Sequence, residues 1–168
     1  MINLISKKTS ELTKKEIQLI TNLKKQKWNY GILTQLKWFK KNIKKNDIHN
    51  LLKINKKLIG YTALRICRVD HSDYKNYLLF DTLVIDKKER KKKYAELLMY
   101  FNNKIIKKKK KISFLICSKY MLKFYSKYDW KKINKVNFTI ADHVSSKEGM
   151  TYNDISKRDK KFIFYVTK

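Results

Sequence analysis

The residues with the clearest chemical potential lie between Leu83 and Ala95, which reads Leu-Val-Ile-Asp-Lys-Lys-Glu-Arg-Lys-Lys-Lys-Tyr-Ala. An apolar run, Leu78 to Ile85, stops at Asp86-Lys87-Lys88. A basic turn follows, and an amphipathic segment then carries Tyr94, Leu98, Phe101 and Ile105. Strand, basic turn and helix in this order leave main-chain N–H groups free at a helix start, where donors and dipole together hold a phosphate. Arg90 and the amides of Lys91, Lys92, Lys93, Tyr94 and Ala95 are the candidate phosphate-binding group. Asp81 sits in an otherwise apolar strand, where a carboxylate is costly unless paired or functional. It either faces inward as a proton acceptor or outward toward a lysine. Trp28 and Tyr30 flank a helix break, where they wall a pocket or pack a helix end. His71 and His143, the latter beside Asp142, fall in turn and loop segments; each is a proton acceptor near neutrality or an exposed loop histidine. Glu148 and Tyr152 are weaker candidates in the same segment as His143. Tyr125 lies on the apolar face of a short helix, as a core aromatic or a proton donor.

Hydrophobic periodicity places these residues on elements. Ile2–Ser6 reads as a strand. Thr9-Ser10-Glu11 offers a cap to a helix from about Glu11 to Lys27, with Leu12, Ile17, Ile20 and Leu23 as its buried stripe. A second helix, about Thr34 to Lys45, follows the break at Trp28-Asn29-Tyr30-Gly31 and carries Leu36, Phe39 and Ile43. His49–Ile54 and Leu58–Val69 read as strands joined by a tight Asn55-Lys56-Lys57 connection. Asp70-His71-Ser72-Asp73 turns the chain into Tyr77–Ile85. A central helix runs from about Glu89 to Ile106 and ends in the lysine tract Lys107–Lys111, whose cations suit a helix C-terminus. Ile112–Cys117 is a strand, Ser118–Tyr128 a helix, and Trp130–Ile140 and Phe162–Val166 are closing strands. Ala141 to Lys161 reads as a polar working loop. The predicted order is βααβββαβαββ in one domain, residues 1–168.

Composition bounds the function. With 43% apolar and 13% aromatic residues, the chain buries a real core despite 33% charged residues, so it is not a disordered polycation. Cys67 and Cys117 lie in apolar runs and read as buried free thiols of a reducing compartment. No apolar run approaches the roughly 20 residues that span a bilayer, and the N-terminus lacks a secretory pattern. A cytoplasmic protein without a membrane partner is expected. The net charge of +28 comes almost wholly from lysine, with arginine only at 65, 68, 90 and 158. Nucleic-acid grips usually exploit the guanidinium fork as well. The lysines accompany abundant Ile and Asn and no Pro, as drift toward A- and T-rich codons produces. Nucleic acid is thus expected as a partner only through non-specific charge. Metal, nucleophile-elbow and nucleotide-loop motifs are absent, and no metal is expected.

Two local motifs carry a resemblance to the GCN5-related N-acetyltransferase (GNAT) superfamily. The pyrophosphate loop of that family reads Gln/Arg-x-x-Gly-x-Gly/Ala; here it is Arg90-Lys91-Lys92-Lys93-Tyr94-Ala95, with Lys93 in place of Gly. Downstream, Tyr125-Ser126-Lys127-Tyr128-Asp129-Trp130 is similar to the family's Tyr-x-x-x-Gly-Phe, with Asp129 and Trp130 substituted. Seven residues before that tyrosine the family often has Asn, and this chain has Ser118. A lysine at position 93 is tolerable where the backbone is helical and strained where φ is positive. The resemblance covers about Ile2 to Ile140. It implies a mixed, mostly antiparallel α/β sheet of six to seven strands flanked by about four helices.

The resemblance also implies acetyl-coenzyme A as donor, with the amides of 91–95 and Arg90 on its diphosphate and Ser118 as a further contact. Leu83, Val84 and Ile85 supply main-chain partners to the pantetheine arm. Tyr125 is the implied general acid, because the matching tyrosine approaches the cofactor sulfur, and a phenol near its ordinary pKa of about 10 is a proper donor to a thiolate. Asp81 stands where amine-acetylating relatives often carry an acid, and becomes the leading base. His143 lies in the loop that shapes the acceptor pocket, with Trp28 and Tyr30 as other acceptor contacts. The expected activity is direct acetyl transfer to a primary amine of a small molecule or protein, by a monomer or homodimer. The positive field favours a phosphorylated or otherwise anionic acceptor. The alternative is a nucleic-acid-binding or catalytically inactive module of the same fold, the former resting on Lys37-Trp38-Phe39-Lys40 and Lys119-Tyr120.

Overall fold

The computed structural model describes residues 1–141, 145–154 and 161–166. Among the described residues nine strands and four α-helices follow one another as β1 (Ile2–Lys8), α1 (Lys14–Lys25), α2 (Ile32–Asn42), β2 (Ile48–Ile54), β3 (Lys57–His71), β4 (Tyr74–Ile85), α3 (Tyr94–Lys108), β5 (Ser113–Cys117), α4 (Leu122–Ser126), β6 (Lys131–Lys132), β7 (Phe138–Ile140), β8 (Glu148–Tyr152) and β9 (Phe162–Phe164). Strands pair in the order β1-β2-β3-β4-β5-β8-β6, with β9 joining β3 to β7. β4–β5 and β7–β9 are parallel; β1–β2, β2–β3, β3–β9, β5–β8 and β6–β8 are antiparallel. The expected mixed, mostly antiparallel α/β sheet with four helices is therefore present, but with nine strands among the described residues where six to seven were expected, because one predicted closing strand is split in two and the predicted loop contributes β8.

The chain forms two compact units, Met1–Arg65 with Asp81–Asn102, and Ile66–Phe80 with Asn103–Lys168. In the first, Ile20, Leu23, Leu51, Tyr61 and Val84 form one buried cluster, and Leu52, Ile59, Ile85 and Leu98 form another. A Cβ on Gly60 would lie 2.8 Å from Leu98 Cδ1 and 2.9 Å from Ile85 Cδ1, so glycine lets β3 approach α3 without those two side-chain ends having to shift. His49 is fully buried in this unit, its Nδ1 2.8 Å from Tyr61 Oη and its Nε2 2.9 Å from Thr9 Oγ1. Burial brings its pKa down to about 4, with Asp47 pulling upward and Lys24 pushing down. Glu16 answers Lys7 and Lys53 at 2.9 and 3.1 Å. Burial alone would raise its carboxyl, but hydrogen bonds from Lys7, the Thr13 backbone and Lys53 outweigh it and hold it at about 2.

In the second unit the core is aromatic. Phe114 stacks on Phe164 with centroids 3.8 Å apart, and Tyr77 meets Phe164 edge-on at 4.9 Å. Gly149 allows β8 to pass these rings, since a Cβ there would lie 2.6 Å from Phe138 Cζ. Cys67 and Cys117 are both buried, as expected, and neither is in a disulfide.

Several boundaries differ from the sequence expectation. Helix α1 is capped by Thr13, which exchanges hydrogen bonds with Glu16 in a capping box, while Thr9–Glu11 forms a separate 3₁₀ turn. Helix α2 starts and ends earlier than expected, at Ile32 and Asn42. Helix α3 begins at Tyr94 instead of Glu89, because Lys87–Glu89 is a 3₁₀ turn capped by Asp86. Ser118–Tyr128 divides into a 3₁₀ turn, Lys119–Met121, and the short α4. Trp130–Ile140 is two short strands with a 3₁₀ turn between them. The largest correction concerns Ala141 to Lys161. Its residues Glu148–Tyr152 form a fully buried strand that pairs with both β5 and β6.

Among the described residues seven non-glycine residues have positive φ, and no glycine does. Asn55 (47°) and Lys56 (69°) close the β2–β3 hairpin, as a two-residue turn matching strand twist requires. Lys91 (65°) and Lys93 (60°) shape the segment before α3. Asp129 (63°) ends α4: Trp130 N–H donates to Tyr125 O at 3.4 Å and Asp129 N–H to Ser126 O at 3.2 Å, the bond pair of a Schellman motif.

Two measurements test this. Lys93→Gly and Asp129→Gly should each stabilise the fold by about 0.5–1 kcal/mol, net of glycine's own entropy cost. That is a melting-temperature rise of about 1–4 °C. Lys93→Ala and Asp129→Ala, which keep the Cβ, should leave it almost unchanged; equal effects of Gly and Ala would contradict the backbone assignment. His49 is protonated in the unfolded chain below about pH 6.5 but in the folded one only below about 4. Stability should therefore fall as pH drops through that window, by about 3 kcal/mol. Urea titrations of the wild type and His49→Gln at pH 7.5, 5.5 and 4 should show the loss only in the wild type.

Candidate active site

The Leu83–Ala95 stretch keeps the predicted order of strand, turn and helix. Among the described residues the β4–β5 ladder consists of Leu78–Ser113 and Leu79–Phe114, and β4 runs on to Ile85 after that ladder ends. Val84 and Ile85 are buried and Leu83 is half-buried. Asp86 then turns the chain, its carboxylate accepting from Lys88 N–H at 2.9 Å and from Gln26 Nε2 at 3.3 Å. Burial would raise its pKa, but these bonds and the nearby Lys57 and Lys88 bring it below the ordinary value. Gln26 also accepts from Lys87 N–H at 2.9 Å, so one side chain of the α1 end fixes the entry to the loop.

Arg90 and Lys91 to Lys93 are exposed, while Tyr94 and Ala95 are half-buried. Arg90 Nε lies 3.4 Å from Ile85 O, and Lys92 pairs with Glu89 at 2.9 Å. Lys93 O accepts from Leu97 N–H, which makes Lys93 the residue that opens α3. Among the described residues the amides of 91–95 make no backbone hydrogen bond. With left-handed backbone at 91 and 93, that is a donor-lined turn of the kind that can hold an anion. The condition attached to Lys93 is thus met in its strained form: the backbone keeps the glycine geometry and the lysine adopts it.

Asp81 does not face a surface lysine. Its Oδ1 lies 3.4 Å from Nη1 of Arg65, which is 2% exposed, and Thr82 Oγ1 donates to its Oδ2 at 3.2 Å. The carboxylate lines a cavity of about 440 Å³ in the first unit. Trp28, Tyr30 and Trp38 are its aromatic lining, so the helix break walls a pocket as well as ending a helix. Gln35 and Lys24, both buried, add the polar groups, with Thr34 and Thr82 beside them. Lys24 Nζ stands 4.1 Å from the Trp38 ring centroid and 5.8 Å from that of Trp28. Burial lowers its pKa, partly offset by Asp81 and reinforced by Arg65. Sequence reasoning missed Lys24, Gln35, Trp38 and Arg65. Their signal is the helical spacing of 24 and 28 with 35 and 38 around one break, invisible among so many lysines.

In the second unit, Tyr125 is 9% exposed and packs against Phe80, Phe124 and Trp130. Burial, then the nearby Cys117 and Tyr120, push its phenol above the ordinary value. The group is a proton donor at any physiological pH. Asn103, also unforeseen, fixes the segment after it: its amide donates to Tyr128 O at 2.8 Å and its carbonyl accepts from Trp130 Nε1 at 3.1 Å. Ser118 is half-buried and precedes the 3₁₀ turn without a side-chain capping bond.

The weaker candidates separate. His143 and Asp142 lie outside the described residues. His71 stacks on Phe162 at 4.2 Å, and its Nδ1 accepts from Asp73 N–H. Glu148 and Tyr152 are not loop residues: Glu148 pairs with Lys132 at 3.1 Å, and Tyr152 stacks on Trp130 at 5.5 Å. Of the aromatics interleaved with lysine, Phe39 is core, Trp38 lines the cavity, and only Tyr120 is open, at 82% exposure. Among the described residues no cluster is placed to hold a metal ion, and no helix is long and apolar enough to cross a membrane.

No protein-family model matches the sequence, and no curated protein sequence does. Solved structures match in shape. An acyl-CoA N-acyltransferase from Pseudomonas aeruginosa superposes with a TM-score of 0.68 at 15% identity, covering 90% of this chain and 99% of that one. The Bacillus subtilis N-acetyltransferase YlbP, in complex with coenzyme A, gives 0.59 at 14% identity, covering 90% and 96%. The GNAT-family N-acetyltransferase YhbS from Escherichia coli, also with coenzyme A, gives 0.64 at 12%, covering 90% and 82%. At these identities the likeness is one of architecture, and the architecture of this chain is that of the GNAT N-acetyltransferases.

Proposed function

We propose that this chain is an acetyl-coenzyme A-dependent N-acetyltransferase that acts on a primary amine by direct transfer. The observation that carries the reading is the turn at 91–95: two left-handed residues, five amides without backbone partners among the described residues, and a helix start among exposed cations. Those features fit a diphosphate. Arg90 and the amides of Lys91 to Ala95 would hold it, with Leu83, Val84 and Ile85 offering main-chain groups to the pantetheine arm and Ser118 a further contact. Acetyl-coenzyme A, when bound, supplies an activated acyl group.

The protein's own residues have separable tasks. Transfer needs a neutral amine and a proton for the departing thiolate. Asp81 is the proposed acceptor of the amine's proton, held by Arg65 and Thr82 with one face on the cavity. Trp28, Tyr30 and Trp38 give the acceptor flat aromatic walls there. Tyr125 is the proposed proton donor, since burial keeps its phenol protonated. Two of the neighbours named above, YlbP and YhbS, are in complex with coenzyme A in their own structures, which supports the reading.

Calorimetric titration with acetyl-coenzyme A should give saturable binding and a raised melting temperature; no heat would remove the proposal. Tyr125→Phe should lower kcat by about 10–100-fold, with coenzyme affinity within about twofold of wild type. Asp81→Asn should lower kcat by about 100-fold and abolish the acidic limb of the pH–rate profile. An unchanged profile would exclude Asp81 as the base.

A further inference from the structure

The cavity holds two charges that do not pair with each other. The Asp81 carboxylate is already answered by Arg65 at 3.4 Å. Lys24, 8% exposed, makes no ion pair and no side-chain hydrogen bond among the described residues; its ammonium meets only the indoles of Trp38 and Trp28. A buried ammonium without an ion pair is costly, and the indole faces together with the charge of Asp81, which Arg65 already answers, recover only part of that cost. An anionic oxygen reaching Lys24 from a bound molecule would repay the remainder through a charge-assisted hydrogen bond. The lining thus offers a carboxylate, a separate unanswered ammonium, and flat aromatic walls, with a local charge of one positive unit once Arg65 is counted.

From this arrangement we infer that the acceptor is zwitterionic: an amine that also carries an oxyacid group, carboxylate or phosphate, bound by Lys24 while its amine is presented to Asp81. This deepens the acetyltransferase reading and rests on it. A plain cationic amine leaves Lys24 unanswered and adds a second positive charge beside it. A zwitterion satisfies both ends without adding net charge. The cavity of about 440 Å³ takes a molecule of amino-acid size with room for a side group.

The test separates this inference from the parent reading by measuring acceptor binding without coenzyme. Quenching of indole fluorescence and calorimetry would compare matched pairs on the full chain: phenylalanine against phenethylamine, and 4-aminobutyrate against butylamine, with 3-aminopropylphosphonate as the phosphorus arm. At least one oxyacid-bearing amine should bind about tenfold or more tightly than its partner lacking the acid. The carboxylate and phosphonate arms then say which oxyacid is preferred. Lys24→Met should reduce the discrimination to less than about threefold, and Lys24→Arg should restore much of it. Equal or tighter binding of the plain amines, discrimination that survives Lys24→Met, or no binding in any arm would each overturn the inference. The wild-type panel decides the sign even if a Lys24 variant folds poorly. Coenzyme binding, titrated separately, reports on the acetyltransferase reading by itself.

Discussion

Left-handed backbone at residues with side chains is the constraint on which the candidate site depends. Lys91 and Lys93 set the turn before α3, and Asp129 sets the chain reversal after α4. Each costs about 1–2 kcal/mol relative to an unstrained conformation. The chain has three glycines and uses none of them there. Gly60 and Gly149 instead stand where a Cβ would meet core atoms at 2.8 and 2.6 Å. The allocation follows the magnitudes: a left-handed lysine is a tolerable strain, whereas a methyl group forced against a packed ring or leucine displaces a core. In a composition rich in Lys and Asn and poor in Gly, two of the three glycines stand where a side chain would crowd the core. Lysine in the turn also adds cations around amides that already point outward.

The cavity is governed by a different balance. Most carboxylates with named partners serve the fold: Glu16 ties Lys7 and Lys53, Asp86 caps the turn after β4, and Glu148 ties Lys132. Asp81 belongs to the structure through Arg65 and to the cavity through its open face. Arg65 retains buried Nε and Nη2 atoms without partners, so Asp81 is its one anionic neighbour among the described residues. Removing either member would leave the other charge buried and uncompensated, which is the expensive way to break such a pair. Arg65 is thus best understood as the residue that fixes where the Asp81 carboxylate stands.

Much of the frame was legible in the sequence, because β1 to β5 and the helices between them have clean periodicity and turn signals. The two motifs were legible too, and two of the departures from them, Lys93 and Asp129, fall at left-handed backbone positions where glycine would be expected. The misses have physical reasons. Strand β8 reads Glu-Gly-Met-Thr-Tyr, with no apolar alternation, since both its faces are buried and Gly149 is there for clearance. The start of α3 was placed too early because Lys87–Glu89 is helical in composition but closes as a single 3₁₀ turn on Asp86. Lys24 looked like one more solvated lysine: its burial comes from Trp38, which belongs to the next helix, and helix-to-helix packing is not written in local spacing.

Long-range and short-range electrostatics then point the same way. A surface with a net charge of +28 repels free polycations within about a Debye length and draws in polyphosphates such as a coenzyme. That field alone says little about a small acceptor at physiological salt. The cavity adds a term that salt does not screen, since Lys24 and Arg65 are 8% and 2% exposed. Were the acceptor a simple diamine, both terms would oppose it, and the single carboxylate of Asp81, already shared with Arg65, would have to overcome them. An acceptor that brings its own negative charge meets no such opposition at either range, and this agreement between the remote field and the buried charges is what favours it.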